Sequence, residues 1–237
     1  MKVRCQRSTS LAVLVLGALL CGTAVAESTP APPPDDLDLT CGPPPSGDPV
    51  KGKWDYRASN LNTQNQRDYR FLEYYHIRPA ESALRSGSLQ FDVMNNLHFV
   101  LRRVPNNEKA LRLLVEWDLA GGRDPKYSPP ICYFVWARQF ASDDVVVWNY
   151  GAYYFLRKGD AQRADQWWRQ TLLIDPSNAE AHYNLGLVAL QREDFGLART
   201  HAWAAYGTGY PLPGLRKSLE NAGQWRDAPT SAPPDGP

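Results

Sequence analysis

The sequence predicts an all-α fold of stacked helical hairpins, and two observations carry this prediction. The first is a tandem repeat, because residues 145–178 and 179–212 align as two copies of 34 residues each. Each copy has the apolar periodicity of two amphipathic helices joined by a short polar turn, at 158–160 (KGD) and at 192–194 (RED). A repeat of this length is one supersecondary unit that buries its apolar face by stacking on its neighbours.

The second observation is that small residues recur at matching positions in the two copies. Ala152 aligns with Gly186 on the first helix, and Ala164 aligns with Ala198 on the second helix. A large side chain at these positions would push the helix axes beyond the usual separation of about 8–10 Å. The sequence therefore predicts close contact within each hairpin. Large apolar residues are expected to fill the space between hairpins: Trp148, Phe155, Trp168, Leu172 and Phe195.

Prolines mark the boundaries of the repeat units. Pro176 follows the second helix of the first copy and bends the chain into the next unit. An irregular copy of 37 residues precedes these two, at 108–144. Its first helix is clear, but its second helix, around 131–140, starts late because three prolines lie in residues 125–130.

Both ends of such a stack are expected to carry helices that cover exposed apolar faces. Residues 51–107 predict an N-terminal cap, with short helices at 68–75 and 79–86 and a leading half-repeat at 89–104. Residues 213–225 predict a C-terminal capping helix. The residues that indicate it are Pro213 at its start, Leu215 and Leu219 on its inner face, and Gly223 at its end.

The first 26 residues have the layout of a secretory signal peptide. Three basic residues precede an apolar run at 11–20, and small residues at positions 24 and 26 supply a cleavage site. We therefore expect the protein to be exported to the periplasm. Residues 27–50 and 226–237 are rich in proline and lack apolar periodicity, so we expect them to be extended, solvated segments.

Composition excludes several classes of protein. Hydrophobic residues make up 43% of the chain, which is enough for an ordinary core. Without the three basic residues of the signal segment, 23 basic residues stand against 25 acidic ones, a net charge of about −2. A nucleic-acid-binding protein would need an excess of Lys and Arg. No later apolar stretch approaches the length of a membrane span, so we expect no integral membrane segment.

Two cysteines, Cys41 and Cys132, follow the signal segment. Exported proteins meet oxidising conditions, and an even number of cysteines favours a disulfide. In the chain-entropy model, a disulfide between them would stabilise the folded protein by about 4–5 kcal/mol at most. Two free thiols are the alternative, and the sequence leaves both open. Cys21 is an unfavourable site for a lipid anchor, because the large residue Leu20 precedes it.

A resemblance to the tetratricopeptide repeat is clearest in residues 179–206, AEAHYNLGLVALQREDFGLARTHAWAAY, with its LG pair at positions 185 and 186. The preceding copy, which ends in IDPSN, is also similar to this family, and WDYR at 54–57 and YYHIRP at 74–79 resemble its exported bacterial members. The resemblance implies a right-handed α-solenoid of about three helical hairpins, a leading half-repeat and a C-terminal capping helix. It also implies that the first helix of each hairpin lines a concave groove that holds a partner's peptide or helix.

By the same resemblance, eight side chains of the first helices face this groove. They are Arg112, Glu116, Asn149, Tyr153, Leu156, Tyr183, Leu187 and Gln191. The set mixes aromatic and hydrogen-bonding groups, as a protein-recognition surface does. For Tyr153 and Tyr183 the alternative is that they pack between neighbouring helices.

Patterns for catalysis, metal binding or cofactor binding are missing from the sequence. The four histidines show neither an i, i+4 pair nor zinc spacing with a cysteine: His76, His98, His182 and His201. Packing explains His182, and a structural role in the N-terminal cap is favoured for His76. No GxSxG, P-loop or dinucleotide-binding motif occurs. We therefore expect a protein that is not an enzyme and has no cofactor.

These observations favour a periplasmic scaffold or adaptor that binds another envelope protein or peptide through its concave groove. The alternative is a structural or auxiliary subunit of a secretion, pilus or polysaccharide-export assembly. Such a subunit would act through the N-terminal tail or the convex face. The partner and the oligomeric state are not specified by the sequence.

Overall fold

A computed structural model describes residues 40–46, 53–57, 63–89 and 91–228, and its regular secondary structure in these ranges is helical, without a strand. The predicted all-α class is therefore confirmed. The predicted signal peptide at 1–26 and Cys21 lie outside the described residues, as do much of the 27–50 segment and the end of the C-terminal tail.

The N-terminal part of the structure is one continuous helical segment. Helix α1 (Thr63–Leu72) runs through a π-helical turn (Glu73–Ile77) into α2 (Arg78–Arg85). This differs from the two separate short helices that the sequence predicted. The reason lies in the widened turn, where the Arg78 N–H donates to the Glu73 carbonyl, five residues earlier. Because this register differs from that of an α-helix, Pro79 enters the first turn of α2 without breaking the segment.

The next three helices form the irregular part of the stack. They are α3 (Phe91–Leu101), α4 (Glu108–Leu119) and α5 (Pro130–Phe140). Asn107 caps the start of α4, and its side chain accepts a hydrogen bond from the Ala110 N–H at 2.9 Å. A loop of ten residues, rich in proline, separates α4 from α5.

Two regular hairpins follow, and residues at repeated offsets begin their helices. The hairpins are α6 (Val145–Arg157) with α7 (Ala161–Ile174), and α8 (Ala179–Gln191) with α9 (Phe195–Gly207). In each hairpin the two helices pack against each other, and α7 packs against α8. One side chain at each helix start accepts a hydrogen bond from a backbone N–H of the first turn: Asp144, Asp160, Asn178 and Asp194.

Helix α10 (Gly214–Asn221) covers the last hairpin. It follows Pro213 and buries Leu215 and Leu219 completely. Gly186 of α8 makes room for this contact, because a Cβ atom at that position would lie 2.4 Å from Leu215 Cδ2. Close approach of α10 to α8 therefore depends on the absence of a side chain at residue 186.

A disulfide and a polar network hold the N-terminal segments against the stack. Cys41 is bonded to Cys132 of α5, and Trp136 Nε1 donates to the Gly42 carbonyl at 3.0 Å. Buried Asn106 donates from Nδ2 to Asp55 and to Asp144, at 2.8 Å in both cases. Residues 40–46 and 53–57 are thus tied to the irregular part of the stack.

Candidate functional site

A cavity of about 370 Å³ lies between helices α4 and α6. We call it the α4–α6 groove. Its lining residues recur every three or four positions, so each helix contributes one face. They are Arg112, Val115, Glu116, Leu119 and Ala120 on the α4 side, and Tyr150, Tyr153 and Arg157 on the α6 side.

Both cations of the groove are paired with groups of the protein. Arg112 donates to Glu116 at 2.5 Å and to Glu81 of α2 at 3.1 Å. Burial acts to lower the pKa of Arg112, but these carboxylates outweigh it and raise the pKa overall. Arg157 donates to the Tyr153 hydroxyl at 2.5 Å, and its guanidinium lies 5.6 Å from the centre of the tyrosine ring. The groove therefore presents tyrosine rings and two arginines whose side chains are held by neighbouring groups.

Two carboxylates, Glu108 and Glu180, lie in the first turns of α4 and α8, respectively. The Glu180 side chain is exposed, yet surrounding protein and then the charge of Glu108 raise its pKa. Burial, followed by these two charges, also raises the pKa of Tyr150.

The structure places the eight predicted groove residues in different environments. Arg112, Glu116 and Tyr153 line one cavity. Leu156 and Leu187 are half-buried against the apolar core, and Gln191 is exposed at the end of α8. Asn149 and Tyr183 are buried, in contrast to the expectation that they face a partner.

Both buried residues contact other parts of the protein. Asn149 accepts a hydrogen bond from Thr171 Oγ1 at 3.0 Å and donates to Asn178 Oδ1 at 3.2 Å, which links α6, α7 and the start of α8. Tyr183 packs against Tyr210, with ring centres 4.7 Å apart. Their side chains satisfy contacts inside the protein, so they are not available to a partner.

Tyr150 and Arg157 line the groove but were missed by the sequence-based prediction. The signal was present, because Tyr150 precedes Tyr153 by three residues and Arg157 follows it by four. Residues at these spacings lie on one face of a helix. Helix periodicity therefore places both residues on the same face of α6 as Tyr153.

A second cavity, of about 420 Å³, lies beside the proline-rich loop between α4 and α5. At its base, the buried Asp118 carboxylate accepts from Arg123 at 2.6 Å and from Lys158 at 2.9 Å. Trp117 and Tyr154 form apolar walls. Arg123 and Lys158 both neutralise Asp118, which is a group of the protein and not a ligand. These two ion pairs therefore explain how the loop is held in place.

The histidines form hydrogen bonds with groups of the protein. His76 bonds to Asn96 at 2.8 Å, His98 to the Tyr133 hydroxyl at 2.7 Å, and His182 to His201 at 2.9 Å. Within the described ranges, no group of three or more His, Cys, Asp or Glu side chains is placed to hold a metal ion.

No protein-family model matches the chain, and no curated protein sequence matches it. In the described part of the chain, none of the helices is both long enough and apolar enough to cross a membrane.

Proposed function

We propose that this protein is a non-enzymatic periplasmic adaptor of the tetratricopeptide type. In this proposal, the α4–α6 groove holds a peptide or helix of another envelope protein. The observation that carries it is the cavity of about 370 Å³ between two successive first helices, which contains two tyrosines and two oriented arginines.

The helical hairpins support the solenoid part of this proposal. Their starts recur at the 34-residue offset, with Asp144 matched by Asn178 and Asp160 matched by Asp194. Equivalent packing of successive units would stack them into a right-handed solenoid of three hairpins with a leading half-repeat and the α10 cap. Such stacking would put the first helices α4, α6 and α8 on a shared concave side.

The chemistry of the groove suits a protein segment. Tyrosine and arginine are the residues that most often carry binding energy in protein interfaces. Arg112 and Arg157 are held by their own partners, so little side-chain entropy remains to be lost when a ligand binds. Glu108, exposed in the first turn of α4, favours a partner with a basic residue near the start of that helix.

Site-specific photo-crosslinking tests this proposal in the exported protein. A benzophenone amino acid replaces Tyr153 in the groove, and in a matched control it replaces Gln162, an exposed residue on the second helix α7. We expect a discrete adduct with one envelope protein from position 153 and none from position 162. Mass spectrometry of the adduct identifies the partner segment.

A charge reversal sharpens the same experiment. Glu116→Lys sets a cation against Arg112, so we expect the adduct from position 153 to fall at least about tenfold while circular dichroism stays unchanged. Equal adducts from positions 153 and 162, or an adduct that Glu116→Lys leaves intact, would rule out the groove as the binding site.

A further inference from the structure

Three large aromatic side chains stand exposed on the N-terminal helical segment. Phe71, Tyr74 and Tyr75 expose 51%, 59% and 57% of their surface, while Leu72 and Ile77 on the opposite side are buried in the core. Adjacent exposed aromatic residues of this size are unusual on a protein surface and mark an interaction site. We call this surface the aromatic face.

The three rings form one cluster. The ring centre of Tyr75 lies 4.8 Å from that of Phe71 and 4.9 Å from that of Tyr74. The π-helical turn begins at Glu73, inside this cluster, and such turns often occur at functional sites. Because more than half of each side chain is exposed, the rings project from the surface and do not line a groove.

Cations surround the aromatic face. Arg67, Arg70 and Arg78 are exposed, and the Arg78 guanidinium lies 5.8 Å from the centre of the Tyr74 ring. In the described part of the chain, none of these three arginines forms an ion pair. The nearby carboxylate of Glu73 is bound instead to Lys109 at 2.8 Å.

Asp68 and Glu81 are also engaged with groups of the protein. Asp68 accepts a hydrogen bond from Gln64, and Glu81 pairs with Arg85 and Arg112. The aromatic face is therefore both apolar and positively charged.

We propose that the aromatic face docks the protein on an anionic lipid surface. A bilayer is flat and accepts projecting rings, and phenylalanine and tyrosine are favoured at the level of its headgroups. The arginines would meet lipid phosphates. A second copy of the chain fits less well, because face-to-face pairing would set arginines against arginines. This role goes beyond adaptor function, since it uses a surface other than the α4–α6 groove.

Co-sedimentation of the purified chain with lipid vesicles tests the proposal. We expect binding to vesicles of phosphatidylglycerol and phosphatidylcholine, and at least about tenfold weaker binding to phosphatidylcholine alone. High salt should weaken the binding to anionic vesicles, because it screens the arginines from the phosphates. Phe71→Ser combined with Tyr75→Ser, and separately Arg67→Gln, Arg70→Gln and Arg78→Gln together, should each reduce binding at least about tenfold.

Two matched controls test whether the loss of binding is specific to the aromatic face. Leu212→Ser removes an apolar side chain as exposed as Phe71, at 51%, from the far end of the stack. Arg85→Gln, Arg192→Gln and Arg216→Gln together remove the same charge from paired arginines. Binding should survive both controls.

Three outcomes of the vesicle experiment would overturn the proposal. They are equal binding to neutral and anionic vesicles, no binding to either, and equal losses in the control variants. A dimer in light scattering that Phe71→Ser with Tyr75→Ser dissociates would also overturn it, because that result assigns the face to self-association.

Discussion

The helices of the hairpins α6–α7 and α8–α9 begin at positions 34 residues apart, but different side chains pack between the two helices of each hairpin. In the first hairpin, Trp148 and Trp167 meet edge to face with ring centres 4.9 Å apart. In the second, the aligned residues are His182 and His201, whose Nδ1 atoms lie 2.9 Å apart. One position in the repeat therefore holds an apolar aromatic pair in one unit and a polar, titratable pair in the next.

The glycines show how each hairpin makes room for its own core. A Cβ atom at Gly151 would lie 2.2 Å from Trp167, so this glycine admits the indole ring. In the second hairpin the residue aligned with Gly151 is Leu185, and Gly186 instead admits Leu215 of α10. The 34-residue offset is thus common to both hairpins, whereas the position of the glycine decides which neighbouring side chain packs against the helix.

The largest expected effect comes from removing the aromatic pair. Trp167 is completely buried, so Trp167→Ala should lower the free energy of unfolding by about 4 kcal/mol. Urea unfolding followed by circular dichroism measures this loss. His201→Ala at the aligned position should cost clearly less, because fewer buried atoms are removed.

Trp167→Phe is the control for this prediction. It keeps an aromatic ring and removes the indole Nε1–H, which is buried and has no hydrogen-bond partner in the structure. We expect a smaller loss than for Trp167→Ala. Equal losses of unfolding free energy in Trp167→Ala, Trp167→Phe and His201→Ala would contradict the prediction that the aromatic pair stabilises its hairpin more than the histidine pair does.

The second effect is a pH dependence to which the histidine pair contributes. His182 Nε2 lies 3.0 Å from the Pro176 carbonyl, which can only accept, so Nε2 carries a proton. In the neutral form of His182, Nδ1 then accepts from His201. Burial, then the charge of His182, and then that of Arg169 lower the pKa of His201 from 6.5 to about 4. Such a lowering corresponds to about 3 kcal/mol.

The sign follows from proton binding. Because folded His201 takes up a proton less readily than unfolded His201, the stability it contributes is present above a pH of about 6.5 and is lost as the pH falls towards about 4. His201→Gln should flatten the wild-type slope of unfolding free energy over this window. An unchanged slope in His201→Gln would show that other groups cause the dependence, and Trp167→Phe should keep the wild-type slope.

Regular hairpins were predictable from the sequence because their signals are local. Asp160 and Asn178 precede apolar helices, and the polar turns fix the spacing between helices. The continuous N-terminal segment was not predictable in this way. Pro79 favours a break, and only the altered hydrogen-bond register of the π-helical turn prevents one.

Only those residues of the candidate site whose positions follow from helix periodicity were predictable from the sequence. Arg112, Glu116 and Tyr153 share one cavity because each lies on the same face of its helix as the other lining residues. Asn149 and Tyr183 lie on first helices too, but their burial depends on Thr171 and Tyr210, which are distant in sequence. Such contacts are set by tertiary packing, which periodicity does not encode.

The smallest expected effect lies in the turns of the two hairpins. Gly159 has φ +86°, and the aligned residue in the second turn is Glu193, which holds φ 58°. A left-handed conformation costs a residue with a side chain about 1 kcal/mol or more, so Gly159→Ala should destabilise the protein by about 1 kcal/mol. Glu193→Gly should stabilise it by about 0.5 kcal/mol, because relief of strain outweighs the added freedom of glycine in the unfolded chain. Urea midpoints of the two variants measure both changes, and shifts of the same sign would show that the turns do not share one backbone conformation.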